Sequence, residues 1–215
     1  TSTIGADITT SGTQTYTGAV TLSSGTRTLT TTDSNITFGS TLDSDATLTP
    51  RALTLSMGTG TVQFNGVVGG TYALGAISIT GNLDLNAAIL NGASSAGAAS
   101  ISVSGTSDLG ANVTTSGNQT YTGAVTLSTS NTLTTTSNGT ISFGSTVDGS
   151  GAGKTLTINT NGTGNTTFTG AVGSTTPLGN TTINTAALTV AAIKLNGTLD
   201  ITNSATSTIS GIISD

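Results

Sequence analysis

The sequence predicts an all-β protein folded as a parallel β-helix, a solenoid in which the chain winds through stacked coils. Two observations predict this fold. The chain repeats itself, since residues 4–22 (IGADITTSGTQTYTGAVTL) return as residues 109–127 (LGANVTTSGNQTYTGAVTL). A shorter period, close to the length of one coil, lies inside this long repeat. Self-similarity at a fixed period is typical of solenoids, in which each unit buries its apolar side against its neighbours.

The shorter period is marked by an aromatic residue or a leucine that stands one or two positions before a glycine. Eight such landmarks occur: Tyr16, Phe38, Phe64, Leu90, Tyr121, Phe143, Phe168 and Leu195. The spacing predicts about eight rungs, grouped into two super-repeats of about 105 residues with four rungs each. We place the super-repeats at 1–105 and 106–205, with a third beginning at 206–215, all in one continuous solenoid domain.

The individual elements are predicted to be short strands rather than helices. Threonine is the commonest residue, with 52 of 215 positions, while glutamate is absent and lysine occurs twice. Branched side chains favour the pleated surface of a sheet. Alternation such as Leu53-x-Leu55 and Leu156-x-Ile158 puts apolar groups on one side of a strand and polar groups on the other. Gly, Asn and Ser between the strands mark the turns at the rung corners.

The eight landmark residues recur at one phase of the rung, beside apolar strand positions. Residues at the same phase of a solenoid stack on one another, so we interpret the landmarks as a structural ladder, either inside the rod or at a corner of it. Tyr72 breaks this phase and is the better candidate for a surface aromatic. A carbohydrate-binding or polysaccharide-acting β-helix is the alternative interpretation of the aromatic residues.

Charge and composition exclude several classes of function. Four basic residues face nine aspartates, giving a net charge of −5. Without a basic stripe we expect no nucleic-acid binding, and without a run of about 18 apolar residues we expect no membrane insertion. The absence of cysteine fits a bacterial secreted or surface fibre stabilised by ladder hydrogen bonds. No signal peptide is visible and residue 1 is Thr, so we expect a processed product or a fragment.

The sequence offers little for catalysis. It contains no His, Cys or Glu, which removes the commonest general base and the soft metal ligands. We therefore expect a protein that is not an enzyme, with no catalytic residues, cofactor or metal site. Asp43, Asp45 and Arg51 lie close in sequence, and we interpret them as a solvated turn. Because Asp43 and Asp148 recur at one repeat position, they indicate a rung corner. A lone calcium ion at Asp33, Asp43 or Asp45 stays open.

Ice binding is a third and weaker alternative. A flat β-helix side with Thr-x-Thr on every rung can order water. Three triplets fit the pattern locally, at Thr13-x-Thr15-x-Thr17, Thr28-x-Thr30-x-Thr32 and Thr132-x-Thr134-x-Thr136. Residues 77–103 contain little threonine and interrupt such a surface.

Several phrases resemble a known family. Five segments look like the β-strand repeats of very large bacterial surface and secreted proteins, the filamentous-haemagglutinin-like proteins. These segments are YTGAVTL, TLTTT, ISFGSTVDG, LTINTNGTGNTTFTGAVG and TPLGNTTI. The resemblance covers essentially the whole chain. It implies a right-handed parallel β-helix, export to the cell surface and an adhesive or fibre-forming role.

The end of the chain repeats its beginning, since residues 206–209 and residues 1–4 both read TSTI. An open β-helix end exposes unpaired donors and acceptors that template further pairing. We therefore predict an extracellular or cell-surface fibre segment that binds copies of itself head to tail, or its own covalent continuation, with surface glycans as a further partner class. We expect the polymer junction to involve Thr3, Ile4 and Ile8 at one end and Ile209, Ile212 and Ile213 at the other.

Overall fold

The computed structural model describes residues 1–45, 49–90 and 98–214. Within these ranges every named strand pairs in parallel and no helix occurs, so the predicted all-β parallel β-helix is confirmed. The solenoid makes about nine turns, compared with the eight rungs expected. At about 4.8 Å per coil this gives a rod of about 40 Å. In the described part of the chain no helix is long and apolar enough to cross a membrane.

The strands form three columns along the rod, which we name face A, face B and face C. Face A contains Ser2–Ile4, Val20–Leu22, Leu42–Ser44, Val113–Thr115, Asn131–Thr135, Leu156–Thr160, Thr181–Thr185 and Leu199–Asn203. Face B contains Ile8–Thr9, Arg27–Thr30, Ile101–Val103, Gln119–Tyr121, Ile141–Phe143, Thr166–Phe168, Leu188–Val190 and Thr208–Ile209. Face C contains Gln14–Tyr16, Ile36–Phe38, Ser107–Leu109, Val125–Leu127, Val147–Gly149, Ile193–Lys194 and Ile213–Ser214.

Two long strands, Leu53–Phe64 and Ile77–Leu85, belong to two faces at once. Their first parts lie on face B and their second parts on face C, so the chain turns this corner without leaving the ladder. Single β-bridges continue the other columns, at Val68 and Ile89 on face A and at Val172 on face C. The three columns therefore run without interruption from the first coil to the last.

Alternation along each strand decides what lies in the core. The strand Asn131–Thr135 shows the pattern, with Asn131, Leu133 and Thr135 buried and the threonines between them half-buried. The inward apolar residues of all three faces form one core that runs along the rod, from Ile4 to Leu195. Because such a core is about one side chain deep, the 33% hydrophobic content of the chain is enough to fill it.

Glycine is required at the corner between faces B and C because successive coils approach closely there. A Cβ atom added to Gly105 would lie 2.5 Å from the carbonyl oxygen of Gly81, and one added to Gly123 would lie 2.3 Å from that of Gly105. These distances are far below van der Waals contact. The corner therefore excludes side chains at these positions and lets the backbones stack at the spacing of a parallel ladder.

Equivalent residues of the two super-repeats lie on different faces. The motif that begins each repeat lies on face A at Ser2–Ile4, on face C at Ser107–Leu109 and on face B at Thr208–Ile209. Each super-repeat thus ends one third of a turn short of five turns, whereas the sequence indicated four rungs. The difference arises because the landmark spacing counts residues and does not reveal which of them lie in strands. Asp215, at the end of the third repeat, lies outside the described residues.

Candidate functional site

Six of the eight landmark residues form two separate aromatic stacks. Tyr16, Phe38 and Phe64 stack on face C, with ring centroids 5.2 and 5.4 Å apart. Tyr121, Phe143 and Phe168 stack on face B, with centroids 5.4 and 4.7 Å apart. All but Tyr16 are essentially buried. The five buried rings therefore fill the core and present no platform for a ligand.

The two leucine landmarks do not continue these stacks, so the ladder of eight residues expected from the sequence needs correction. The residue in register after Phe64 is Leu85, and the residue after Phe168 is Val190. Leu90 follows Ile89 of face A and is 37% exposed, whereas Leu195 is buried in a bridge with Leu178. Leu90 and Leu195 match the landmark motif in sequence. In the structure, however, they lie past the strand positions at which the aromatic stacks would continue.

A buried glutamine supports each tyrosine. Gln119 Nε2 donates to the carbonyl oxygens of Val113 (3.2 Å) and Thr134 (2.9 Å), and its Oε1 accepts a hydrogen bond from the Tyr121 hydroxyl (3.3 Å). Gln14 and Tyr16 form the same arrangement in the first coil, with a hydroxyl-to-amide distance of 3.0 Å. The sequence analysis did not identify these glutamines, although the shared QTY motif carries the signal. The amide joins two consecutive coils and fixes their register.

Asparagine and aspartate side chains at the corners bind the backbone of the following coil. In each case the side-chain Oδ1 accepts a backbone N–H at 2.8–3.2 Å from a residue 18–29 positions further on. The acceptors are Asp7, Asp33, Asn35, Asp43, Asn82, Asn112, Asn118, Asn138, Asp148, Asn165 and Asn180. Several of these donors lie at or just before the start of a strand, so the side chains pair backbone N–H groups at the corners of the coils.

Asp43 and Asp148 lie at equivalent corners of the two super-repeats. Asp43 Oδ1 accepts the backbone N–H groups of Thr71 and Tyr72, at 2.8 and 3.2 Å. Asp148 Oδ1 accepts those of Thr175 and Thr176, at 2.8 and 3.1 Å. The two aspartates thus hold equivalent loops in the same way on different faces.

The structure brings together the charged residues that the sequence placed in one turn. Arg51 Nε lies 2.6 Å from Asp45 Oδ1, in an ion pair at the surface in which Arg51 is half-buried and Asp45 is exposed. The hydrogen bond from Arg51 holds the pKa of Asp45 below its usual range. Tyr72 is the most exposed aromatic residue at 38%, and its carbonyl oxygen accepts the N–H of Ser44 at 3.0 Å. Asp43, Asp45, Arg51 and Tyr72 therefore share one corner of the rod, which we call the Tyr72 corner.

The three aspartates at which the sequence allows a calcium ion are all engaged with protein groups. Asp33 accepts the backbone N–H and the hydroxyl of Thr59, at 2.9 and 3.1 Å, and these bonds lower its pKa. Among the described residues no three carboxylates come close enough together to hold a metal ion. Asp43 and Asp45 are likewise engaged with the backbone and with Arg51 respectively.

The three Thr-x-Thr triplets lie on three different faces. Thr15 belongs to face C, Thr28 and Thr30 belong to face B, and Thr132 and Thr134 belong to face A. They cannot form one flat array. Face B does carry a column of single outward hydroxyl residues on successive coils: Thr28, Thr54, Ser78, Ser102, Thr120, Ser142, Thr167, Thr189 and Thr208.

Face A carries an open polar groove of about 310 Å³. Its lining consists of hydroxyl and amide residues: Thr134, Thr135, Thr136, Asn159, Thr160, Asn161 and Asn184. Asn184 Nδ2 donates to Asn159 Oδ1 at 2.8 Å, which continues the backbone ladder through side chains. The groove offers neutral hydrogen-bonding groups and no charged or aromatic one.

The last coil exposes residues that occupy core columns elsewhere. Ile209 is in register with Val190, and Ile213 is in register with Ile193. Val190 and Ile193 are buried, whereas Ile209 and Ile213 are 38% and 49% exposed. At the other end, Ile4 and Ile8 lie in the columns of Leu22 and Leu29. Thr3 and Ile212 of the expected junction are instead exposed residues beside these columns.

Comparison with known protein families, with curated proteins and with solved structures finds no match for this chain. The fold and the surfaces described above are therefore the basis for assigning a function.

Proposed function

We propose that this chain is a structural segment of an extracellular fibre or stalk and that it associates head to tail through its end coils. The observation that carries the proposal is the exposure of Ile209 and Ile213 in columns that are buried one coil earlier. A further coil stacked on this end would bury both side chains and pair the free backbone groups of the last strands.

The first coil of a second copy is the partner that fits this end. Its Ile4 and Ile8 occupy the same kind of inward column, on faces A and B. The contact would join two different surfaces, and such a contact produces an open filament when the rotation between copies does not close into a ring. The junction would then continue the three ladders and the core across the boundary between copies.

The test is to place charge in the columns of the last coil. The variant Ile209→Lys with Ile213→Lys would bury two ammonium groups at the junction, which costs several kcal/mol per unpaired ion. Thr208→Lys with Ser214→Lys is the matched control, because the same charge is added to the neighbouring outward positions of the same strands.

Electron microscopy and sedimentation of the purified chain measure the outcome. We expect filaments from the parent and from the Thr208/Ser214 control, and dispersed rods of about 40 Å from the Ile209/Ile213 variant. A parent that stays a monodisperse monomer would contradict the proposal, and so would filaments that survive the isoleucine substitutions.

A further inference from the structure

The open groove on face A is built on a row of three side chains from successive coils. Thr134, Asn159 and Asn184 are in register near the ends of their strands, and all three are half-buried. Adjacent coils are about 4.8 Å apart, so the row extends about 10 Å along the rod. Because the backbone ladder fixes this spacing, the row is held in place by the strands themselves.

The first super-repeat has hydroxyl residues where the second has these asparagines. The segments TLTTT, LTLS and ISIT of the first repeat align with TLTTT, LTIN and TTIN of the second. The residues that correspond to the row are therefore Thr30, Ser56 and Thr80, and they are in register with one another as well. The ladder accepts Ser and Thr at these positions, so it does not require the amides of Asn159 and Asn184.

The backbone at this corner also differs between the two super-repeats. In the first, Leu53–Phe64 and Ile77–Leu85 continue from face B to face C without a break. In the second, Leu156–Thr160 and Thr181–Thr185 end beside the row, and the chain passes through a turn before the next strand. The groove therefore opens where the strands are interrupted, and the two asparagines lie along it.

Hydrogen bonding leaves defined atoms of the row free. Asn184 Nδ2 donates to Asn159 Oδ1 at 2.8 Å, which orients both amides. In the part of the chain that the structure describes, Asn159 Nδ2, Asn184 Oδ1 and the Thr134 hydroxyl have no hydrogen-bond partner. The row thus offers a donor, an acceptor and a hydroxyl that can act as either.

The buried threonines of the lining contribute differently. The hydroxyls of Thr135 and Thr160 donate to the carbonyl oxygens of Gly139 and Gly164, at 2.8 and 2.7 Å. Each hydroxyl has a single proton, so neither residue has a donor left for a ligand. The groove therefore combines the free polar atoms of the row with threonine carbon atoms beside them.

We propose that this groove binds a neutral glycan. Neighbouring sugar hydroxyls would accept from Asn159 Nδ2 and donate to Asn184 Oδ1, while the C–H groups of the sugar ring contact the threonine carbons. A volume of about 310 Å³ is at the lower end for a small-ligand site and fits a short stretch of a chain. The lining is uncharged and the whole chain carries a net charge of −5, so an anionic polymer is disfavoured. The site is independent of the head-to-tail junction.

The experiment immobilises the full chain on a surface plasmon resonance chip, so that single rods and filaments are measured alike. The probes are four soluble neutral polysaccharides, namely a glucan, a mannan, a galactan and a xylan, together with a sulfated polysaccharide and an uncharged Gly/Ser peptide. Asn159→Ser with Asn184→Thr installs the residues of the first super-repeat. Asn159→Asp keeps the oxygen that accepts from Asn184 and removes only the free donor.

The matched control is Thr157→Ser with Thr182→Ser, because these two residues are in register on the same strands and lie outside the groove. Thermal melting checks that every variant is folded. We expect at least one neutral polysaccharide to bind the parent and the control equally, and both groove variants to bind it at least tenfold more weakly. The proposal is overturned if none of the four neutral polysaccharides binds the parent, if only the sulfated or the peptide probe does, or if either groove variant binds like the parent.

Discussion

The two super-repeats have closely similar sequences and yet place their equivalent residues on different faces of the rod. The stack that begins at Tyr16 lies on face C, and the stack that begins at Tyr121 lies on face B. The stacks nevertheless have nearly the same ring spacing and the same supporting glutamine. The role of a residue is therefore set by the coils directly before and after it, and the three faces act as interchangeable environments.

At the corners of the two super-repeats the backbone contacts are kept, whereas the surrounding side chains change. Asp43 and Asp148 make the same backbone bonds, but Ser150 and Thr176 stand at the second corner where the first has Asp45 and Tyr72. The parts of the repeat that build the ladder are thus maintained, while the exposed parts of the loops are free to diverge. This contrast separates residues that support the rod from residues that the ladder does not require.

The largest effect should come from removing the central ring of a stack. Phe38→Ala and Phe143→Ala should each lower the free energy of unfolding by about 3–5 kcal/mol, because each deletes a buried ring between two others. Both rings are buried to the same degree, so the two losses should be of similar size. Denaturant unfolding measures both. A large difference between them would show that the faces are not equivalent.

Removing the two supporting glutamines should lower the free energy of unfolding by different amounts. Gln119→Ala leaves the buried hydroxyl of Tyr121 without its acceptor and removes the amide link between the two coils, which should cost about 2 kcal/mol. Gln14→Ala should cost about 1 kcal/mol, because Tyr16 is partly exposed and water can replace the lost bond. Equal losses in chemical denaturation would show that the end coil is as dry as the interior.

The burial of Tyr121 should make the stability of the chain sensitive to alkaline pH. Burial raises the pKa of Tyr121 above its ordinary value near 10. Below pH 10 the phenol is neutral in both states and its contribution to stability is complete. Above pH 10 the unfolded chain ionises while the folded phenol stays protonated. The free energy of unfolding then falls by about 1.4 kcal/mol per pH unit. The free energy of unfolding, measured from pH 9 to 12, should fall less steeply in Tyr121→Phe than in the parent. If Tyr121→Phe leaves the slope unchanged, Tyr121 is not buried in solution.

The smallest effect should be a gain in stability. Ser107 lies in the inward column between Leu83 and Val125, and its hydroxyl is buried without a hydrogen-bond partner. Ser107→Ala should stabilise the chain by about 1 kcal/mol, because it removes an unpaired polar atom from the core. The equivalent Ser2 is exposed in the first coil, so Ser2→Ala should change the melting temperature little. A loss of stability in Ser107→Ala would contradict this assignment.

The sequence was sufficient to predict the solenoid, since repetition and alternation require only local regularity. It also indicated the aromatic stacks and the corner role of Asp43 and Asp148. It could not predict the one-third rotation, because an identical strand motif fits any of the three faces. Nor could it show that Leu90 leaves the ladder, since the register shift between Ser56 and Thr61 makes Leu85 the residue that follows Phe64. The bonds from Asp43 to the backbone of Thr71 and Tyr72 join two successive coils and are visible only in the folded chain.

The rotation between super-repeats is tested most directly by engineered disulfides, which the absence of natural cysteine makes unambiguous. Ser102 and Thr120 are outward neighbours in register on face B, where adjacent strands lie about 4.8 Å apart, within the range that a disulfide spans. Thr126 lies on face C of the same coil as Thr120. We expect Ser102→Cys with Thr120→Cys to close a disulfide on oxidation, and Ser102→Cys with Thr126→Cys to remain reduced. Crosslinking of the second pair and not of the first would contradict the arrangement of the repeats on three equivalent faces.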